Sequence, residues 1–390
     1  MSFADQIKLT KEKGPNRNPF VKYLPKEWQV IEVILNNETI QKQWAKENNF
    51  QCKDPGNWIY EIVKAQILWF KPDVVYITTY STFPYSFLRD IKAELKTPCL
   101  WINYYGLRLR NILEDFRGYD LVLTGWKACL DELRENNINS EYFPQYMDNA
   151  FADEALKIEK KDIPFSFAGS VSWGGDDLNE RREYIDILIK KCNLMVWTSL
   201  KAENCRNYEY YRLLYNQKLY DLYQYLKSGT FSSIADLLPK VKNYKYMEKR
   251  PDTSIFIEKS IIKNCKPPVF GKEIYKILRR SKLTFNSYVR IDAKKGKVPY
   301  VAGNIRLFES AGVETCVLTK YTDDLKNFFI PDEEIATFQS KDEAVEKARY
   351  LLDNSQIRQE MAKKARHKVE RFHTAKIRAK EFINFVNQNI

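Results

Sequence analysis

The stretch Gly303-Asn304-Ile305-Arg306-Leu307-Phe308-Glu309-Ser310-Ala311-Gly312 brings together residue types that can hold a nucleotide. A helix opening at Gly303–Asn304 would offer unpaired N–H groups and the positive end of its dipole to a phosphate, with Arg306 one turn on as a charge partner. Glu309 adds a carboxylate able to accept two hydrogen bonds from the vicinal hydroxyls of a ribose. The plainer alternative is an exposed helix carboxylate paired with Arg306 at i, i+3.

Other common sites are absent. The 13 glycines form neither Gly-x-Gly-x-x-Gly nor Gly-x-x-x-x-Gly-Lys-Ser/Thr, which weighs against a dinucleotide dehydrogenase or a P-loop enzyme. The only histidines, His367 and His373, lie six apart in a C-terminal segment of helical character, a spacing that suits no histidine metal site. No two aspartates are separated by a single residue, which removes the Asp-x-Asp metal clamp. A phosphate must therefore be held by helix N-termini and basic side chains, with neither a metal nor a cofactor expected. The 7 cysteines are scattered, odd in number and never form Cys-x-x-Cys, so they read as free and mostly buried thiols.

The elements that must position these groups alternate along the chain. Val74–Thr79, Cys99–Asn103 and Leu121–Thr124 read as buried parallel strands, and Phe87–Leu95 and Lys127–Leu133 place apolar residues at helical spacing between them. A new strand, Pro164–Ala168, ends in the small-residue loop Gly169-Ser170. Met195–Trp197, Lys282–Asn286 and Thr315–Thr319 follow as further strands. Asp342–Asp353 reads as a helix, and residues 355–387 as helical to the end. The fold class is α/β, with doubly wound sheets whose ligand clefts open at the carboxyl ends of the strands. That points to the loops Tyr80–Thr82, Tyr104–Gly106 and Gly125–Trp126. The domain boundary is expected near 155–162, dividing the chain into 1–158, 159–372 and a C-terminal helix over 373–390 that returns toward the first domain. Arg181 and Arg182 read as surface helix residues, Asp323 or Asp324 as the cap of a helix beginning near Leu325, and His373 as a packing or capping residue.

The chain has 390 residues and a formal charge of +12, from 63 Lys and Arg against 51 Asp and Glu. The excess is local, because residues 201–300 carry 22 basic and 9 acidic groups while the rest is nearly balanced. Within that window residues 206–264 interrupt the strand–helix rhythm with seven tyrosines between Tyr208 and Tyr225, followed by Lys240, Lys242, Lys245, Lys249 and Arg250. They read as an inserted helical element. Its surface suits a packed helix face, an anionic membrane surface or a nucleic acid. The first residues form no apolar leader, and no run approaches the roughly 18 apolar residues of a membrane span, so a cytoplasmic protein is expected.

The sequence resembles the glycosyltransferases of the spore-maturation, CgeB-like type, whose C-terminal domain belongs to the broad group-1 (GT-B) glycosyltransferases. The resemblance rests on Asn304-x-Arg306-x-Phe308-Glu309-x-x-x-Gly312, Leu318-Thr319-x-Tyr321-Thr322-x-Asp324-Leu325 and His373-Thr374, with weaker echoes in Phe167-x-Gly169-Ser170, Val269-Phe270-Gly271-x-x-x-Tyr275-x-x-Leu278 and Leu283–Asn286. It spans about 165–375. In the first half only the strand–helix rhythm and Phe143-Pro144-Gln145-Tyr146-Met147-Asp148 correspond.

The resemblance implies two facing Rossmann-like domains, the first binding an acceptor and the second a sugar nucleotide, in a metal-independent enzyme. Carried over by position, Glu309 would bind the ribose. Asn304, Arg306 and Arg290 would lie near the diphosphate and donor sugar, and Gly169-Ser170 would face the pyrophosphate. The second glutamate that retaining relatives place eight residues before the ribose carboxylate is Val301 here, so no catalytic residue carries over. An inverting reaction needs a carboxylate base, and Asp176 and Asp177, in a Gly-rich loop, are the candidates; otherwise they are turn and N-cap residues. A front-face retaining reaction needs no base.

The expected function is transfer of a sugar from a nucleotide-diphosphate sugar to a hydroxyl of a surface glycan, glycolipid or glycoprotein, with an anionic membrane surface as a partner of residues 206–264. Two alternatives remain: a non-catalytic nucleotide- or glycan-binding protein on the same fold, and a nucleic-acid-binding protein, although no nucleic-acid partner is expected.

Overall fold

The β-branched and aromatic runs of the first third form one parallel sheet in a computed structural model of the chain. The structure describes all residues except 14–17, 79–82, 107–112, 172–175, 201–207, 229–237, 243–256 and 288–302. The loop expected at Tyr80–Thr82 and the candidate Arg290 lie outside the described residues.

The first sheet contains β1 (Val74–Ile77), β2 (Leu100–Tyr104), β3 (Leu121–Thr124) and β4 (Ser140–Tyr142), all parallel, in the order β1-β2-β3-β4. Both faces are covered, which is why its strands read as unbroken apolar runs rather than alternating ones. One face packs Trp101 and Val122 against Val63, Leu88, Ile91 and Leu133 of the helices Trp58–Phe70, Tyr85–Leu95 and Lys127–Glu135. The other packs Leu100, Ile102, Leu121 and Leu123 against Phe20 and against Ala375, Ala379, Phe382 and Val386.

The second sheet contains β5 (Ile163–Ala168), β6 (Met195–Trp197), β7 (Cys265–Lys266), β8 (Ser281–Asn286), β9 (Cys316–Lys320) and β10 (Ala336–Phe338). Its order is β10-β9-β8-β5-β6-β7, every pairing parallel. Numbered within the sheet, this is the dinucleotide-fold order 3-2-1-4-5-6. The winding reverses between β5 and β8, and the crevice at the carboxyl ends of those two strands is where such folds bind ligands. Two apolar clusters bury the faces, one around Phe165, Phe285 and Phe338, the other around Leu307, Phe308 and Val317.

Residues 355–387 are helical apart from a short break where the separate C-terminal helix was expected to begin: Ser355–Phe372 and Ala375–Asn389 are divided at His373–Thr374. There the backbone takes the Met147 amide on the His373 carbonyl at 2.9 Å and gives the Ala375 amide to the Met147 carbonyl at 2.9 Å. Pairing with the interdomain linker replaces helical bonds, and Thr374, extended at φ −117° and ψ 157°, caps the next helix. Asp323 and Asp324 are not caps, because the short 3-10 helix Asp323–Asn327 has Thr322 at its N-cap and no side-chain capping bond. Arg182 is not on the surface, being 4% exposed, and Arg181 is partly buried.

Six of the cysteines are described, all free; Cys129, Cys192 and Cys316 are buried, while Cys52, Cys99 and Cys265 are half-buried. Among the described residues no helix is long and apolar enough to cross a membrane.

Candidate functional site

The helix Ile305–Gly312 begins where the sequence placed it. Asn304, at φ −65° and ψ 152°, accepts the Leu307 amide on its side-chain oxygen at 3.0 Å and so satisfies one of the helix's free donors. Gly303 precedes it with φ +94°, in the left-handed region, and a Cβ there would stand 2.9 Å from the Phe328 ring. A side chain is excluded on both counts, so the backbone can approach closely in front of the helix.

Arg306 and Glu309 meet. The Arg306 guanidinium pairs with the Glu309 carboxylate through Nη1 and donates through Nε to the Ala168 carbonyl at 3.1 Å, at the end of β5. This is the i, i+3 pair of the plainer alternative, but in a buried setting rather than an exposed one, since Glu309 is 7% exposed. Burial raises the Glu309 pKa above the ordinary carboxylate range, more than Arg306 and Tyr275 lower it. Arg306 and Tyr275 work against that rise by favouring the ionised form.

The second neighbour, Tyr275 on the helix Lys272–Arg280, is 2% exposed and lowers the Glu309 pKa. Its hydroxyl accepts the Asp148 backbone amide at 2.8 Å. Asp148 is 3% exposed, caps the helix Asn149–Leu156 and pairs with Lys22 at 3.3 Å. A chain of polar contacts therefore runs from the linker to Glu309. The sequence carries Tyr275 and Asp148 inside the segments on which the resemblance rests, yet no spacing rule links positions 127 residues apart.

Gly169 and Ser170 follow β5 at the switch point. The Gly169 amide donates to the Trp197 carbonyl at 3.1 Å, and a Cβ at Gly169 would lie 3.0 Å from the Phe167 ring. The Ser170 hydroxyl is buried without a hydrogen-bond partner. Asp176 and Asp177 are the first two residues of the helix Asp176–Cys192 rather than members of a loop, and their side chains lie outside the described residues. Of the candidates, the structure brings Asn304, Arg306, Glu309 and the Gly169–Ser170 segment to one crevice. Across the two sheets, Lys127 donates to Asn327 at 3.1 Å.

His373 stands at the same junction. Its ring lies 4.7 Å from the Phe308 ring and 5.7 Å from that of Phe328, it is 7% exposed, and its Nδ1 has no partner. Burial pulls its pKa down to about 3, helped by Arg378 and Lys368. The histidine packs, as expected, but at a break between helices. Among the described residues no three His, Cys, Asp or Glu side chains cluster as a metal site.

Residues 254–384, which include Tyr275, Arg306, Glu309 and His373, match a family model described as glycosyl transferase-like. No curated protein matches the chain. Among solved structures, the α,α-trehalose 6-phosphate synthase from Burkholderia multivorans superposes with a TM-score of 0.51 at 8% identity, over 96% of this chain and 84% of that one. The S. aureus TarM G117R mutant, solved with fondaparinux, α-GlcNAc-glycerol and UDP, gives 0.51 at 9% identity over 84% and 59%. A glycosyltransferase from Rickettsia africae ESF-5 gives 0.50 at 10% identity over 90% and 88%. At these identities the likeness is one of fold: this chain has the two-domain GT-B architecture, and its residues 254–384 are glycosyl transferase-like in sequence.

Proposed function

We propose that this protein is a glycosyltransferase of the CgeB-like type. It moves a sugar from a nucleotide-diphosphate sugar to a hydroxyl of a surface glycan, glycolipid or glycoprotein, without a metal, at the cytoplasmic face of a membrane. The observation that carries the reading is Glu309. It is a buried carboxylate held by Arg306 and Tyr275, one turn inside a helix that starts at the carboxyl-end crevice of a dinucleotide-fold sheet, within the glycosyl transferase-like segment.

In this reading Glu309 accepts the ribose hydroxyls, the Asn304-capped helix end and Gly303 receive the phosphates, and Gly169-Ser170 line the pyrophosphate. Asp176 or Asp177 serves as acceptor base if the reaction inverts, and Arg290, outside the described residues, is assigned to the diphosphate and donor sugar by the resemblance alone. Positioning and electrostatic stabilisation of the departing diphosphate supply most of the rate. The acceptor side draws on the insert helix Tyr208–Ser228, whose Tyr208, Tyr211, Tyr215 and Tyr225 are exposed beside Lys218 and Lys227. Amphipathic rings and cations suit anionic lipid surfaces.

Screening nucleoside mono- and diphosphates by thermal shift, then assaying sugar nucleotides for transfer and hydrolysis in EDTA, tests the reading. Stabilisation by one diphosphate and EDTA-resistant turnover are expected. A chain that no nucleotide stabilises and that turns over no donor is not this enzyme. Flotation with vesicles containing anionic lipid tests the membrane contact, and equal recovery with neutral vesicles rejects it.

A further inference from the structure

A second charge excess lies near the C-terminus, inside a stretch that is nearly balanced as a whole. Residues 363–380 hold eight Lys or Arg against a single Glu. Two of the eight serve the fold. Arg366 pairs with Glu314 and with Glu370, each at 2.8 Å, and Arg378, 3% exposed, pairs with Glu381. The other six are Lys363, Lys364, Lys368, Arg371, Lys376 and Lys380.

The helix Ser355–Phe372 buries Met361, Ala362, Ala365 and Val369. At about 100° per residue, Lys363, Lys364, His367, Lys368 and Arg371 fall within about 140° of its circumference, turned away from that buried stripe. Lys368 is half-buried and the other four are exposed. Phe372 closes this face, 42% exposed, with the Arg371 guanidinium 4.9 Å and Lys368 Nζ 5.9 Å from its ring centre. Beyond His373–Thr374 the helix Ala375–Asn389 presents Lys376 and Lys380 one turn apart, both exposed.

Helix electrostatics account for only part of this pattern. Cations in a last turn answer the negative end of the helix dipole, which covers Lys368 and Arg371. Lys363 and Lys364 lie too far from that end, and Lys376, in the first turn of its helix, meets the positive end, which disfavours a cation. The like-charged i, i+4 pairs Lys364–Lys368 and Lys376–Lys380 cost helix stability as well. Such charges lower the stability of the chain by itself and suit an anionic partner.

We infer that this basic face, with Phe372 as its apolar anchor, docks on the anionic headgroups of a membrane leaflet. Five of the six cations are lysines, compact hydrated charges that answer a diffuse anionic surface, whereas recognition of individual nucleic-acid phosphates draws on arginine forks. One ring at the end of a basic helix face can enter the headgroup layer, but it does not make the row of stacking rings that holds a single-stranded nucleic acid. The inference rests on the membrane location proposed above and gives it a second surface, none of whose cations is assigned to the donor site.

Flotation with vesicles of phosphatidylcholine, or of phosphatidylcholine and phosphatidylglycerol in equal parts, tests it. Wild type is expected to float with the anionic vesicles and to be released by high salt. Combining Lys363→Gln, Lys364→Gln, Lys368→Gln and Arg371→Gln should weaken binding on the order of 100-fold, each cation near an anionic surface being worth about fivefold. Phe372→Ser should weaken it by about tenfold and leave the salt dependence in place. A fourfold variant that floats as wild type does overturns the inference. So does a loss seen only in Lys218→Gln with Lys227→Gln, which would put the lipid contact on the insert helix alone. Wild type that ignores anionic vesicles overturns it too, as does a fourfold variant that loses retention on RNA but keeps its lipid binding. If the fourfold variant does not fold, Lys376→Gln with Lys380→Gln decides by the same comparison, a loss of roughly tenfold or more supporting the face and none overturning it. Thermal stabilisation by nucleoside diphosphates should be equal in wild type and all these variants. A protein that floats through this face yet turns over no sugar nucleotide fails the donor reading and keeps the inference.

Discussion

The amide of Asp148 donates to the hydroxyl of Tyr275 at 2.8 Å, and the same tyrosine favours the ionised form of the Glu309 carboxylate. Since the hydroxyl accepts from the amide, its single proton is left for Glu309. Asp148 belongs to the segment that leaves the first sheet, so the orientation of the proposed ribose carboxylate depends on where the linker lies.

Tyr275→Phe removes that proton and leaves the buried Asp148 amide without an acceptor. A cost of about 1–3 kcal/mol in stability is expected for the orphaned amide. Nucleotide affinity should also fall, by roughly threefold to tenfold, as expected for the loss of one ordinary hydrogen bond that orients a ligand group. Combining Tyr275→Phe with Glu309→Gln separates the two effects. In calorimetry the affinity losses should be strongly non-additive, because Tyr275 acts through Glu309. Additive losses would show the tyrosine acting elsewhere.

The ionisation of Glu309 gives a pH prediction with a definite sign. Its folded pKa is raised by burial, and only the carboxylate accepts two ribose hydroxyls. Affinity for the nucleotide should therefore fall as the pH drops through a value above the ordinary glutamate range. In Glu309→Gln, measured by the same titration, affinity should be weaker throughout and this step absent. A step that persists in the glutamine variant belongs to another group.

Burial of His373 predicts acid sensitivity of the fold. The unfolded chain takes up a proton near the ordinary value of 6.5, whereas the folded state resists protonation until about 3. Between those values the unfolded state binds more protons, so stability falls as pH falls, by up to about 1.4 kcal/mol per pH unit. His373→Phe, which keeps a ring against Phe308 and removes the partnerless Nδ1, should flatten the decline between roughly pH 6 and 5 in denaturant melts. An unchanged slope in that window would assign the proton uptake to other groups.

What the sequence disclosed and what it hid divide along physical lines. The strands on either side of the crevice and the Asn304 cap were legible because apolar runs and capping chemistry are local signals. The division at 372/373 was legible as well, but not its cause, since the interruption comes from pairing with Met147, more than two hundred positions away. Arg181 and Arg182 misled for the opposite reason. In sequence they are two charges on an amphipathic helix, and only the approach of Ser170 and Ser287 places the first across the crevice. The three-residue strands β4 and β10 are too short for any period-2 signal.

Gly312, the last residue of the helix that carries Glu309, supplies the second contact between that helix and the linker. A Cβ at Gly312 would stand 2.0 Å from Met147 Sδ and 3.3 Å from Val369, so the glycine is what lets the linker lie directly on the helix. Gly312→Ala must push Met147 away, and Met147 is fixed on both sides by its backbone bonds to His373 and Ala375. The expected result is a loss of about 1–3 kcal/mol in stability, the usual scale of overpacking. Nucleotide affinity should weaken as well, because the displaced linker carries Asp148 and, through Tyr275, the orientation of Glu309. Met147→Ala in the Gly312→Ala background restores the space. It should recover most of the affinity while leaving part of the stability loss, since Met147 is itself 2% exposed and its removal opens a cavity. Affinity that stays low in the double variant would place the effect in the helix itself and uncouple the linker from the site.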